Sequence, residues 1–310
     1  MKRIVIFTLM LMFAHLTYAQ PKLFSSDWPV WNLTEGMNEK GLLNDFDYSF
    51  KNYETALKWF KAGNVDVTFM TLYDFISMQP TKQPTLILGV TDYSNGGDKL
   101  ILRNTIKKAE DLRGKKVLLA SNTISLWLLH NYLEKHGMNL NDVQIINKSV
   151  NSAPLLFKED KSYAAVVGWN PNIEKALDES SYVGSTSRDY PRAIYDLIVA
   201  KESFHTSSKD LSKKLLQSYF RSLTDKEVIE STAMGLSVSE EEYRLWLDDA
   251  KIFETWEESN LEYQHLVNNA ERIRIFLSKA PTTIRDEETR KRFMPRDIDI
   301  LDLIGFQKVK

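Results

Sequence analysis

Beyond residue 20 the hydrophobic period of the chain switches repeatedly between the short alternation of strands and the three-to-four spacing of helices. Phe46–Phe50 (FDYSF) alternates as a half-buried strand. Tyr53–Ala62 places Ala56, Trp59 and Phe60 on one helical face, and Gly63-Asn64 ends it. Val65–Met70 is short and β-branched, which predicts a strand. Thr71–Met78 reads as a helix stopped by Pro80, and Thr85–Val90 as a buried strand.

The cycle then restarts. Lys116–Leu119 predicts a strand, and Ser121–His136 a helix with Ile124, Trp127, Leu128 and Tyr132 inward and Gly137 as its cap. Val143–Ile146, Ala153–Phe157 and Tyr163–Val167 continue the alternation, and Ile194–Ala200 closes it. Strands alternating with helices imply a largely parallel sheet covered on both faces. A restart near Leu100 and a late strand at 194–200 predict two α/β lobes with a ligand cleft between them. Past Lys201 the pattern turns helical. Leu211, Leu215 and Tyr219 share a face, Ser239 and Glu242 form a capping box ahead of Trp246, and Arg272–Leu277 predicts another helix. The charged run RDEETRKR at 285–292 reads as a solvated face or loop.

The first residues have a different character. Lys2 and Arg3 precede an apolar run, Ile4 to Phe13, and Thr17 and Ala19 are the small residues a signal peptidase requires before Gln20. The run is too short to span a hydrocarbon core of roughly 30 Å. Residues 1–19 are therefore expected to be a cleaved signal peptide, leaving a protein free in the periplasm, with no cysteine to carry a lipid anchor. Removing them moves the net charge from −2 to −4. The expected division is lobe 1 over 20–97, lobe 2 over 98–195, and a return to lobe 1 over 196–310.

Composition narrows the function. Forty basic against 42 acidic side chains exclude a polyanion binder that works by bulk charge, so no nucleic-acid partner is expected. Zero cysteines remove disulfides, thiolate metal sites and cysteine nucleophiles. No H-E-x-x-H, phosphate-binding loop, G-x-G-x-x-G or G-x-S-x-G pattern occurs. The five histidines are scattered, with His130 and His136 on different helical faces. Neither catalysis nor a cofactor is called for.

Features suited to holding a solute lie where strands feed helices, because free backbone N–H groups and a partial positive charge wait there. Thr71-Leu72-Tyr73-Asp74 follows one strand and Ser121-Asn122-Thr123-Ile124-Ser125 another. Both also serve as ordinary helix caps. Trp28-Pro29-Val30-Trp31 and Trp169-Asn170-Pro171 place indoles at two strand-to-loop junctions on the expected cleft side, where rings stack on flat solutes or face cations. Asp74 and Asp92 add negative charge. The run from Asp92 to Asp98, with its Asn-Gly-Gly, reads first as a turn and crossover between lobes.

GNVDVTFMTLYD, TDYSNGGDKLIL, EDLRGKKVLLASNTIS, AAVVGWNP and GLSVSEEEYRLWLDDAKIFETWEESN together resemble the periplasmic solute-binding proteins of ABC importers, over roughly residues 27–265. The resemblance is to the group that includes nitrate, taurine, sulfonate and thiamine-precursor binders. Within it the SNGGD crossover and the Trp-Asn-Pro motif look most like the urea-carboxylase-associated binders, thought to serve urea or guanidine-type compounds. The resemblance implies a type 2 periplasmic-binding fold: two α/β lobes with parallel-rich sheets, helices on both faces and a helical C-terminal region. It implies cleft contacts from Trp28, Trp31, Thr71, Asp74, Asp92, Ser121, Thr123, Trp169 and Asn170. SNTIS departs from the group's Ser-x-Ser-His, and no arginine stands among these positions, which favours a neutral or cationic nitrogen compound over an anion. The implied role is capture and delivery by a monomer, with a permease and an ATPase as partners. Two rivals remain: a periplasmic ligand sensor for a signalling protein, and a pyrimidine-synthase-like enzyme of the same fold, which the missing cysteines oppose.

Overall fold

Residues 19–79 and 83–279 are described by a computed structural model. Residues 1–18 of the expected leader, Pro80 and the charged run at 285–292 lie outside the described residues. The alternation begins with β1 (Lys22–Ser25), α1 (Pro29–Glu39), β2 (Asp47–Phe50), α2 (Tyr53–Lys61), β3 (Val67–Thr71), α3 (Leu72–Met78) and β4 (Thr85–Ser94). It continues with β5 (Asp98–Arg103), β6 (Lys116–Leu119), α4 (Ile124–Lys135), β7 (Gln144–Asn147), α5 (Ala153–Glu159), β8 (Tyr163–Trp169), β9 (Ser181–Thr186) and β10 (Tyr195–Lys201). Helices then take over: α6 (Glu202–Ser207), α7 (Lys209–Ser222), α8 (Lys226–Gly235) and α9 (Glu240–Leu247). A short strand, β11 (Ala250–Ile252), precedes α10 (Trp256–Leu261) and α11 (Tyr263–Lys279).

Side-chain caps set where several helices start. Asn52 Oδ1 accepts from Thr55 N at 2.9 Å, Thr71 Oγ1 from Asp74 N at 3.0 Å, and Ser239 Oγ from Glu242 N at 3.0 Å. The helix expected from Ser121 begins at Ile124, because Thr123 is its N-cap. Gly137, at φ +66°, follows its end in the left-handed conformation that side chains rarely adopt. Trp59 departs from expectation. The buried stripe of α2 is Tyr53, Ala56, Leu57 and Phe60, which leaves Trp59 on the flank, 44% exposed and tilted against Phe24.

Two sheets form, ordered β11-β4-β10-β3-β1-β2 and β7-β6-β8-β5-β9. Parallel pairing holds for the βαβ portions, β2-β1-β3 and β7-β6-β8. The sheets as wholes are mixed. β10 runs antiparallel to β3 and β4, and β5 antiparallel to β8 and β9. β4 leads out of the first sheet, through residues 95–97, into β5 of the second. β10 leads back, so it lies beside β4 in the opposite sense.

One apolar core runs through both lobes, and a smaller cluster around Ile101, Phe157 and Val166 fills the other face of the second sheet beneath α5. The C-terminal helices fold back onto the first lobe. Tyr219 Oη of α7 donates to Val30 O at 3.2 Å, and the Tyr243 hydroxyl of α9 donates to Pro29 O at 2.9 Å. Both bonds hold the first turn of α1, which carries Trp31 and follows Trp28. Phe276 of α11 packs between Tyr73 of α3 and Trp127 of α4. No helix among the described residues is long and apolar enough to cross a membrane.

Candidate functional site

Between the sheets lies a small, partly open space. The indoles of Trp28 and Trp31 and the phenol of Tyr53 wall it from the first lobe, and Trp169 and Ile124 from the second. Thr71, Ile194, Asp98 and Asp196 complete the lining. The rings touch one another: Trp31 and Tyr53 lie 5.5 Å apart, and Tyr53 meets Trp169 edge-on at 5.6 Å. The cavity volume is about 20 Å³. One water needs roughly 10–15 Å³ in that measure. As it stands the space therefore has room for about one or two waters, so a solute of a few heavy atoms requires the lobes to part.

Strand register brings the polar groups together. Asp196, on β10, sits directly between Thr71 of β3 and Asp92 of β4. Asp92 is fully buried, and it accepts from Trp28 Nε1 at 3.0 Å and from Thr91 Oγ1 at 2.7 Å. Its cross-strand neighbour Asp196 is buried as well. Asp98, at the start of β5, is also buried, with its backbone N–H donating to Ser94 Oγ. Gly97, just before it, leaves room for the Trp28 ring: a Cβ there would stand 2.4 Å from the indole.

Thr71, Asp74 and Tyr53 form a second cluster. Tyr53 Oη donates to Asp74 Oδ2 at 2.7 Å and accepts from Thr71 N at 3.0 Å, while Thr71 Oγ1 donates to the same carboxylate oxygen at 2.7 Å. Asp74 thus fixes two lining side chains from behind. Across the lobes, Asn172 Nδ2 donates to Asp27 Oδ2 at 3.1 Å.

The electrostatics are lopsided. Burial pushes the Asp98 carboxyl up to about 7, with the charges of Asp92 and Asp74 adding to the rise. Burial raises both Asp92 and Asp196, the latter further because the neighbouring Asp92 charge opposes its ionisation. No basic side chain lines the space. Lys99, next to Asp98, pairs with Glu174 and Asp249, and Arg188 pairs with Asp249. Two buried lining atoms, Trp31 Nε1 and Asp196 Oδ2, have no donor or acceptor opposite them among the described residues. No group of three His, Cys, Asp or Glu among those residues is arranged to hold a metal ion.

The expected contacts therefore divide. Trp28, Trp31, Thr71 and Trp169 line the cleft; Asp74 and Asp92 stand one hydrogen bond behind it. Thr123 is spent on its helix, donating to Ala120 O and capping Ser125 N, and its neighbour Ile124 faces the space. Asn170 Nδ2 is held by Asp249 at 2.7 Å, which steadies the adjacent Trp169. Ser121 does not belong. It lies two residues ahead of the cap, its N–H donates to Asn147 at the β7 edge, and it borders a separate surface groove. Asp98, which reads first as a turn residue, lines the cleft as well, and so do Tyr53 and Asp196, which the linear pattern does not single out. Asp196 carried a legible signal, a lone acid inside the otherwise apolar IYDLIVA strand.

A sequence-family model described as NMT1/THI5 like matches residues 99–225. No curated protein sequence matches the chain. Among solved structures, the fold is similar to the alkanesulfonate-binding protein SsuA from Xanthomonas axonopodis pv. citri bound to MOPS, with a TM-score of 0.70 and 12% identity over 93% of this chain and 98% of that one. The periplasmic aliphatic sulphonate binding protein SsuA from Escherichia coli gives 0.67 and 16% over 93% and 98%. The periplasmic nitrate-binding protein NrtA from Synechocystis PCC 6803 gives 0.54 and 14% over 72% and 68%. The chain has the two-lobed α/β periplasmic-binding fold of these proteins.

Proposed function

We propose that this protein is the extracytoplasmic solute-binding subunit of an ABC importer and that it captures a small, positively charged nitrogen compound without altering it. The fold it shares with sulfonate and nitrate binders supports the capture role and, with it, a permease and an ATPase as partners and a location outside the cytoplasm. The lining supports the charge. Two carboxyls, three indoles and a phenol surround the space, and no lysine or arginine does. Sulfonate and nitrate are anions and need cations or several N–H donors. A small cation instead finds ring faces and carboxylates. The lobes of this reading are residues 20–97 with 196–310, and 98–195.

A thermal-shift screen tests it, with guanidinium, tetramethylammonium, urea, taurine and nitrate. A solute that binds only the folded chain adds about 2.7 kcal/mol at a hundredfold excess over Kd, several degrees of Tm at this size. A cation should give that shift. Stabilisation by taurine or nitrate alone would overturn the reading.

A further inference from the structure

Asp92 and Asp196 face each other across β4 and β10, and both are buried. Two buried carboxyls side by side oppose each other's ionisation, so the pair favours holding a proton. Its two partners are unequal. Asp92 already accepts from the Trp28 indole and the Thr91 hydroxyl, both of which serve its negative form. Asp196 lines the cleft, and no donor among the described residues reaches its Oδ2. The groups around it supply no positive charge: Asp92 from β4, Thr71 from β3 with Asp74 behind it, Asp98 from β5, and Tyr219 from α7.

We propose that Asp196 holds this proton while the cleft is empty and surrenders it to solvent when a cationic solute enters, so that capture exchanges one cation for one proton. The proposal rests on the cationic reading of the cleft. The charge balances: the solute brings one positive charge, the O–H of Asp196 breaks, and its proton passes to water. Burial favours the protonated form of both carboxyls in the empty site, the direction this exchange needs. Asp98, pushed up to about 7, contributes part of a second proton near neutrality. Linkage then makes affinity rise with pH, by about tenfold per pH unit for each proton released.

Calorimetric titration of the full chain with guanidinium chloride and tetramethylammonium chloride tests this, in two buffers of different ionisation enthalpy. The heats should differ by the equivalent of about one proton per solute, and Kd should fall as pH rises from 5.5 to 7.5. Asp196→Asn should still bind cation, more weakly, with most of the buffer dependence gone. Infrared difference spectra of the unaltered protein give a second readout: the carbonyl band of a buried protonated carboxyl should vanish on binding. Cation binding with equal heats in both buffers and an unchanged carboxyl band overturns the exchange alone. Failure of both cations to bind removes the cationic reading and the exchange with it.

Discussion

The indole of Trp28 donates to Asp92 at 3.0 Å, joining residues 64 positions apart in sequence. Trp28→Phe keeps an aromatic ring in place but removes the donor. A buried acceptor left short costs about 1–3 kcal/mol. Denaturant unfolding at pH 7.5 should show a loss of that size. Unchanged stability would mean that the ring matters only for its bulk.

Gly97 underlies the same indole, and an added Cβ would meet Cη2 of Trp28 at 2.4 Å. Backbone and ring cannot both stay. Gly97→Ala should cost about 1–3 kcal/mol through overpacking and weaken solute binding at the same time. Binding equal to that of the parent would show that Trp28 has free space to retreat.

The pH dependence of the empty protein follows from its raised carboxyls. Asp98 binds its proton more tightly folded, at about 7, than unfolded, near 3.8. Its stabilising contribution is complete below about 4 and is lost as pH rises toward 7. The Asp92–Asp196 pair acts in the same direction. Glu262 acts in the opposite sense, since its bonds with Arg192 and Tyr195 hold its carboxyl below the usual value of 4.5. Its contribution disappears as pH falls below 4.5. Tm should accordingly be higher at pH 5.5 than at pH 7.5. Asp98→Asn should flatten that difference, and an unaltered slope would count against the raised carboxyl.

Ser121 and Trp169 separate helix start from binding wall. Trp169→Ala removes a lining ring and should abolish the solute-induced thermal shift, whereas Ser121→Ala should leave it intact. The reverse result would move the site to the outer groove.

The hydroxyl of Tyr243 holds Pro29 O from a position buried under α9. Tyr243→Phe should destabilise by about 0.5–1.5 kcal/mol and lower solute affinity by loosening Trp28 and Trp31. Stability lost without any change in affinity would assign the bond to packing alone.

Much of this arrangement was legible in the linear pattern. Runs such as Lys116–Leu119 and Thr71–Met78 show as a strand and a helix through their length and punctuation, and the indoles at 28 and 169 stand next to strand ends, with Trp31 in the first turn of α1. Register was not legible. Nothing local reveals that Asp196 lies between Thr71 and Asp92, because that neighbourhood is set by pairing among three strands distant in sequence. Tyr53 reads as the first residue of a helix, and only the fold turns its hydroxyl toward Asp74. Ser121 lies away from the cleft, and a hydroxyl before a helix has the same local pattern whether it meets a guest or a sheet edge.

Asp92, Asp98 and Asp196 all stand where the backbone passes from one sheet to the other. If the halves swing apart, the pivot runs through these acids, and they travel least. The negative pole would then greet an arriving molecule from a fixed floor, and the aromatic roof would fold over it afterwards.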